Sequence, residues 1–464
     1  MKIKNIFIFM MLAILSFNLI ASNVDLQKAK QAASNFLYQR SDISEKSEFS
    51  LSLQKEIKDK NTNEILCYVF AIKPQGFIIM SADDNLQPVL GYSYDDNFSE
   101  NTSPSFNAWM NGYYVQISSV LQNKFICKEK KSAWAELENK SAKIKVKAKL
   151  PMITTKWDQG KYYNALCPAD SLGPDGHAVV GCVATAMGQV MKFWNYPEHG
   201  NSGYAYQHIP PMFSHNYGKV QANFAATYYD WSNMPTNSNN NSKIAVSTLL
   251  FNCGISVKMN YGPAESGSMT EQVPSALCQY FKYSPAAKYV ERKKYKNAPW
   301  DSLIMCQLNI GLPVIYSGSG AKGGHCFVVD GYQDSSYFHV NWGWSGSANG
   351  YYYFTRMVPS NDTTYDFTND QGAVIDIYPL GHVSVSEIEV VFTKVFPNPA
   401  NDFIQLDGVE AENTSVQIFN NIGQLVIQQN NSIKIDVSNL ENGLYFVKLK
   451  TETKNSVTKV IIQR

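Results

Sequence analysis

Little in this 464-residue chain points to a charged partner. Its 40 Lys and Arg offset 39 Asp and Glu, leaving a net charge of +1. No basic cluster interleaves with aromatics, so the footprint of a nucleic-acid binder is missing. Long apolar runs are also scarce: after the N-terminal stretch no segment is long enough to span a bilayer. The eight cysteines, at 67, 127, 167, 182, 253, 278, 306 and 326, follow neither the spacings of a zinc site nor those of a disulfide-built fold. His177, Cys182, His325 and Cys326 can be imagined as four metal ligands, but none of the usual intervals occurs between them, and nothing calls for a cofactor. With one cysteine set aside as a free thiol an odd number remains, and most lie in apolar contexts typical of buried, reduced thiols.

Four stretches differ in character. Residues 1–22 carry Lys2 and Lys4, an apolar run from Ile6 to Leu15 and a small-residue exit at Ala21-Ser22, the pattern of a signal peptide. No cysteine near that exit marks a lipoprotein. Residues 23–150 open on an amphipathic helix (Leu26, Ala29, Ala33, Phe36, Leu37) and continue with buried strands at 65–72 and 76–80 and a second helix from Ser103-Pro104. They close on Lys143, Lys145, Lys147 and Lys149, an exposed connector of the kind where proteolytic nicking concentrates. Residues 151–380 run helix-rich first and strand-rich later, which describes an α+β domain. After Gly381 cysteine and tryptophan vanish, and short period-two segments separated by Asn, Asp and Gly read as a small all-β sandwich over 381–464.

The chemistry centres on Gly176 to Pro197, GHAVVGCVATAMGQVMKFWNYP. Val183, Ala186, Met187, Val190, Met191 and Trp194 recur at steps of three and four, so one face of a helix is buried. Asn195-Tyr196-Pro197 ends it. Gly181 breaks the pattern just upstream, which puts Cys182 at or near the first helical position, where unpaired N–H groups favour a thiolate. A lone cysteine is most often core. This one needs a base, and the best placed histidine is His325, which opens a strand in GGHCFVVDGY with Phe327 and Val329 on its own face. A second strand, YFHVNWGWSG, should pair with it and give Asn341 a route to the imidazole.

A thiol, a distant His and an Asn before Trp-Gly-Trp form the arrangement of papain-type thiol proteases. The chain resembles the streptopain family of secreted bacterial cysteine proteases over about residues 25 to 380, through WDQGKYYN, GCVATAMGQVMKFWNYP, GISVKMNYGP, GGHCFVVDGY and HVNWGWSG in that order. The resemblance implies a papain-like catalytic domain of two lobes, one helical and one an antiparallel sheet, behind an inhibitory α+β prodomain. It implies Cys182 as nucleophile, His325 as proton acceptor, Gln159 as oxyanion donor and Asn341 as orienter of His325. It places substrate contacts at Gly324 and Ser268, with Trp342 and Trp344 walling the site. Cys326 departs from the small residue common in relatives, and its side chain is expected to point away from the site. Cys182 and His325 should form a thiolate–imidazolium pair in the free enzyme.

The stretch after Gly381, from VFPNPA to GLYFVKL, resembles the C-terminal sorting domain of type IX secretion cargo in Bacteroidetes. The expected product is a secreted or cell-surface endopeptidase, with protein or peptide substrates, its own prodomain and the secretion machinery as partners. A thiol acyltransferase and an inactive adhesin or inhibitor are the competing readings for the enzyme, a carbohydrate-binding or adhesive module for the tail.

Overall fold

The computed structural model describes residues 24–40, 49–99, 104–123, 126–139, 143–144, 146, 148–208, 215–295, 300–320, 323–334, 336–354, 371–381, 395–407, 414–420, 424–450 and 455–464. The leader-like segment, Ser103, Lys145, Lys147 and residues 421–423 lie outside them. The chain divides into two compact units, one reaching Leu380 and one starting at Gly381.

The first unit opens on helix α1 (Leu26–Gln39), whose Asp25 carboxylate caps the Lys28 N–H at 2.8 Å and which buries Ala29, Ala33, Phe36 and Leu37. Strands β1 (Ser50–Lys58), β2 (Ile65–Lys73), β3 (Phe77–Ser81) and β4 (Val89–Ser93) follow as an antiparallel meander. Helix α2 (Pro104–Asn123) then starts on proline, which suits the first helical turn. Sequence reading misses β1 and helix α3 (Lys128–Glu138). The strand is largely solvent-exposed, and the helix buries only Trp134 and Leu137, so neither shows a clear period.

Beyond the connector come β5 (Ala148–Lys149), α4 (Cys182–Trp194), β6 (Tyr204–Gln207), β7 (Lys219–Ala222), α5 (Lys243–Ser256), α6 (Val273–Phe281) and β8 (Lys288–Glu291). Helix α7 (Trp300–Asn309) precedes β9 (Val314–Gly320), β10 (Gly323–Gln333), β11 (Tyr337–Asn341), β12 (Gly350–Tyr353) and β13 (Gly372–Ile375). One sheet runs β1-β2-β3-β4-β12-β11-β10-β9-β13-β8, with β5 beside β10. The N-terminal meander is thus continuous with the C-terminal strands. Tyr92 of β4 pairs with Tyr351 of β12, and Gly91 with Tyr352. Pairing satisfies backbone groups that a buried edge would leave open.

Strand β10 is packed on both faces. Phe327 and Val329 join a core shared with α1, α2 and the meander, whereas Cys326 and Val328 join the core of α4, α5 and α6. At its far end the chain leaving β5 crosses β10 closely. The Ile153 N–H donates to Asp330 Oδ2 at 2.7 Å and the Met152 N–H to the Asp330 carbonyl at 3.2 Å. A Cβ on Gly331 would lie 2.8 Å from the Lys149 carbonyl oxygen, so glycine is needed there. The other Asp330 oxygen meets His339 Nδ1 at 2.6 Å, inside the sheet.

The second unit holds β14 (Val395–Phe396), β15 (Phe403–Leu406), β16 (Ser415–Phe419), β17 (Leu425–Asn430), β18 (Lys434–Asp436), β19 (Gly443–Lys450) and β20 (Asn455–Ile462). Two sheets, β14-β15-β18 and β17-β16-β19-β20, close on Ile404, Leu406, Val416, Ile418, Ile435, Val447 and Val460. This is a small all-β sandwich. No described helix is long and apolar enough to cross a membrane.

Asp330→Ala should cost about 1–3 kcal/mol, because the Ile153 N–H is then buried without an acceptor. Urea unfolding of the full chain, followed by the tryptophans, which all belong to the first unit, reads the loss. An unchanged midpoint would show that the crossing does not depend on this carboxylate.

Candidate active site

Helix α4 starts at Cys182 because Gly181 takes a conformation that other residues resist, at φ 92°. Space forbids a side chain as well, since a Cβ there would meet Met259 Sδ at 2.7 Å and the Ser266 carbonyl oxygen at 3.0 Å. Val183, Ala186, Met187, Val190 and Met191 bury the inner face, and Asn195 closes the helix in the left-handed region. The Cys182 thiol is left half-buried at the helix start, opening on a pocket that Gln159, Gly324, His325, Ser268 and Trp344 also line.

The local electrostatics hold this pair uncharged. Burial pushes the Cys182 thiol above its ordinary value, although its sulfur receives backbone N–H groups from Cys326 and Val183. Burial likewise pushes the His325 imidazole below its ordinary value. Both shifts favour the neutral forms near pH 7. Among the described residues no hydrogen bond joins the two side chains. In this form neither shift favours the thiolate–imidazolium pair expected for the free enzyme.

Gln159 is buried, its carbonyl held by the Val180 N–H at 2.9 Å and its own N–H by Asp158 at 2.6 Å. Its side-chain amide borders the pocket and makes no hydrogen bond within the described residues. A fixed backbone with an uncommitted amide can donate to a substrate oxygen. Ser268 gives its hydroxyl proton to the Val257 carbonyl, so its side chain offers a substrate only an acceptor. Gly324 is exposed at the rim. Among the described residues no group of three or more His, Cys, Asp or Glu gathers to hold a metal.

Three expectations are corrected by the strand faces. Asn341 does not hydrogen bond His325: its amide nitrogen donates to the Thr155 carbonyl at 2.7 Å, and its oxygen accepts from Gln189 at 3.2 Å and the Gly343 N–H at 3.1 Å. Register pairs it with Val328, on the helical side of the sheet, so it ties β11 to α4. Trp342 does not wall the pocket. It lies fully buried against Phe106, Phe327 and Tyr352, with its Nε1–H on the Ala348 carbonyl at 2.9 Å. Cys326 does not point away, because alternation turns it into the core against which Cys182 packs. Sequence reading also misses Pro104 and Ser105 at the start of α2, which border the same pocket. No local pattern marks them, since only the fold brings α2 to the site.

Comparison with known proteins gives three regional matches. Residues 157–352 match the peptidase C10 family, residues 21–117 the Spi protease inhibitors, and residues 394–463 the secretion system C-terminal sorting domain. Streptopain from Streptococcus pyogenes is 34% identical over 332 residues, spanning 67% of this chain and 80% of that protein. The thiol protease/hemagglutinin PrtT of Porphyromonas gingivalis is 32% identical over 376 residues, spanning 77% of this chain and 42% of that protein. Among solved structures, a prointerpain A fragment from Prevotella intermedia superposes with a TM-score of 0.57 at 30% identity, covering 71% of this chain and 99% of that one.

A raised thiol is mostly protonated at neutral pH and gains thiolate only as pH climbs past its shifted value. Brief treatment of the uncleaved chain with iodoacetamide at pH 7 should therefore label exposed Cys278 and Cys306 ahead of Cys182. The Cys182 rate should rise only above the ordinary thiol range of about 8.5. Peptide mass mapping gives the order, and Cys182 labelled first at pH 7 would contradict the neutral pair.

Proposed function

The chain belongs to the peptidase C10 family of cysteine peptidases, and from that premise we propose that Cys182 is its nucleophile and His325 the group that takes and returns the proton. It is an exported cysteine peptidase with an inhibitor-like N-terminal region and a type IX sorting domain. The observation that carries the residue roles is the shared pocket. Cys182 at a helix start, His325 at a strand start and the uncommitted Gln159 amide border one cavity.

In the reaction the thiolate attacks the peptide carbonyl, and charge builds on the carbonyl oxygen. The Cys182 N–H and the Gln159 amide stabilise it, an effect that is usually the largest single contribution to catalysis. The imidazolium protonates the leaving amine, and water then hydrolyses the thioester with His325 as base. The active pair needs opposite charges, which each partner stabilises in the other. That state is assigned to the form in which the N-terminal region has left. Asn341 contributes by fixing α4 against β11, and Gly324, Ser268 and Trp344 line the path of the substrate backbone. Trp342 is assigned to packing.

The N-terminal region, residues 23–150, is the chain's own inhibitor. Support comes from Pro104 and Ser105 at the pocket edge and from the inhibitor-family match. Cleavage within the lysine-rich connector starts activation. Residues 1–22 direct export across the inner membrane, and residues 381–464 engage the secretion machinery.

Two measurements test this reading. Gln159→Ala should lower kcat of the processed enzyme by roughly 10- to 1000-fold with a smaller change in KM, since the lost donor acts on transition-state charge. A change confined to KM would make Gln159 a binding residue only. Ending the chain at Leu380 should leave peptidase activity in cell lysates while removing it from the medium. Undiminished release of the truncated chain would refute the sorting role.

A further inference from the structure

We propose that Cys326 is the resolving thiol of Cys182: when a hydroperoxide oxidises the active-site sulfur, the two cysteines close a reversible disulfide that spares Cys182 from irreversible oxidation. The inference rests on Cys182 being the reactive nucleophile.

Three observations carry it. The Cys326 N–H donates to the Cys182 sulfur, and that nitrogen is bonded directly to the Cys326 Cα. The Cys182 side chain therefore reaches the backbone of Cys326, and closing a disulfide requires their Cα atoms to come within about 4.4–6.8 Å. Next, the Cys326 side chain faces the helical lobe and lies in the apolar cluster against which Cys182 packs. Cys182 is close enough there to push the Cys326 thiol up further, while the Thr270 side chain acts on the same sulfur in the opposite sense. Among the described residues no other thiol acts in this way on buried Cys67, Cys167 or Cys253. Finally, access differs. Cys326 is 2% exposed, whereas Cys182 opens on the pocket, so a small oxidant meets Cys182 first.

The steps balance. The Cys182 thiolate attacks one peroxide oxygen, the O–O bond breaks, and the departing hydroxide takes a proton to leave as water. The Cys326 sulfur then attacks the sulfenic sulfur. The S–S bond forms, the S–O bond breaks, and the leaving hydroxide carries off the Cys326 proton as a second water. Two thiols have lost two electrons and two protons to one hydroperoxide. A dithiol reductant reverses the change, whereas a sulfinic acid formed without a resolving thiol is not reduced by it.

The test uses the full chain after self-processing, treated with equimolar hydrogen peroxide, blocked with N-ethylmaleimide and mapped by mass spectrometry without reduction. The expected product is a cross-linked pair of peptides joining Cys182 to Cys326, lighter by two hydrogens than their sum. Activity should fall at least about tenfold and return with dithiothreitol in the wild type, whereas in Cys326→Ala the same treatment leaves a loss that dithiothreitol does not repair. Each protein is referred to its own untreated rate. Cys326→Ser repeats the comparison if the alanine variant fails to fold, and the cross-linked peptide is read in the wild type alone. Absence of that peptide, or equal recovery in wild type and variants, overturns the inference while leaving the proposed function standing. Peptidase activity surviving in Cys182→Ala would instead overturn the proposed function, and this inference with it.

Discussion

Strand β10 carries a packed core on each face, and the rest of the first unit is arranged by that fact. Successive side chains of a strand leave on opposite sides, so Phe327 and Val329 are committed to the N-terminal region and Cys326 and Val328 to the helical lobe. A strand buried this way tolerates no slip of register, because moving by one residue would exchange the two cores. Its starting residues are fixed with it. His325 and Gly324 arrive at the pocket rim as a consequence of packing further along the strand.

The N-terminal region uses this arrangement to cover the catalytic sheet. Trp109 of α2 packs on Phe327, Trp342 and Phe354, and Phe106 on Trp342 and Tyr352. Tyr113 donates to the Tyr353 carbonyl at 2.6 Å, and the Arg40 guanidinium pairs with Asp334 at 2.7 Å. These contacts and the β4–β12 pairing hold the start of α2 at the pocket. Burial at the pocket favours the neutral thiol of Cys182 and the neutral imidazole of His325.

The two tethers of α4 have different characters. Gly181 sets where the helix begins, through a backbone conformation and a gap too small for a side chain. Gln189 sets how it lies on the sheet, through Asn341 at 3.2 Å and the Thr155 hydroxyl at 3.0 Å. A buried polar network of this kind resists displacement because each lost partner leaves a desolvated group unsatisfied. The helix start can therefore hold Cys182 at the pocket without shifting.

Features encoded by neighbours in the chain were legible in the sequence itself. The period of Val183 to Trp194, the break at Gly181, the start of α2 at Pro104 and the alternation in 381–464 each rest on a handful of adjacent residues, and the order of five motifs identifies the family. What the sequence left open depends on residues far apart. That Asn341 meets Gln189 rather than His325, that Trp342 belongs to a core, and that Cys326 turns toward Cys182 all follow from the register of β10 with β9 and β11 and from what covers each face. The merging of β4 with β12, and the packing of α2 on Phe327 and Trp342 that brings Pro104 and Ser105 to the pocket, are decided by contacts between residues far apart in the chain. A local period says that a face is buried; only the folded chain says against what.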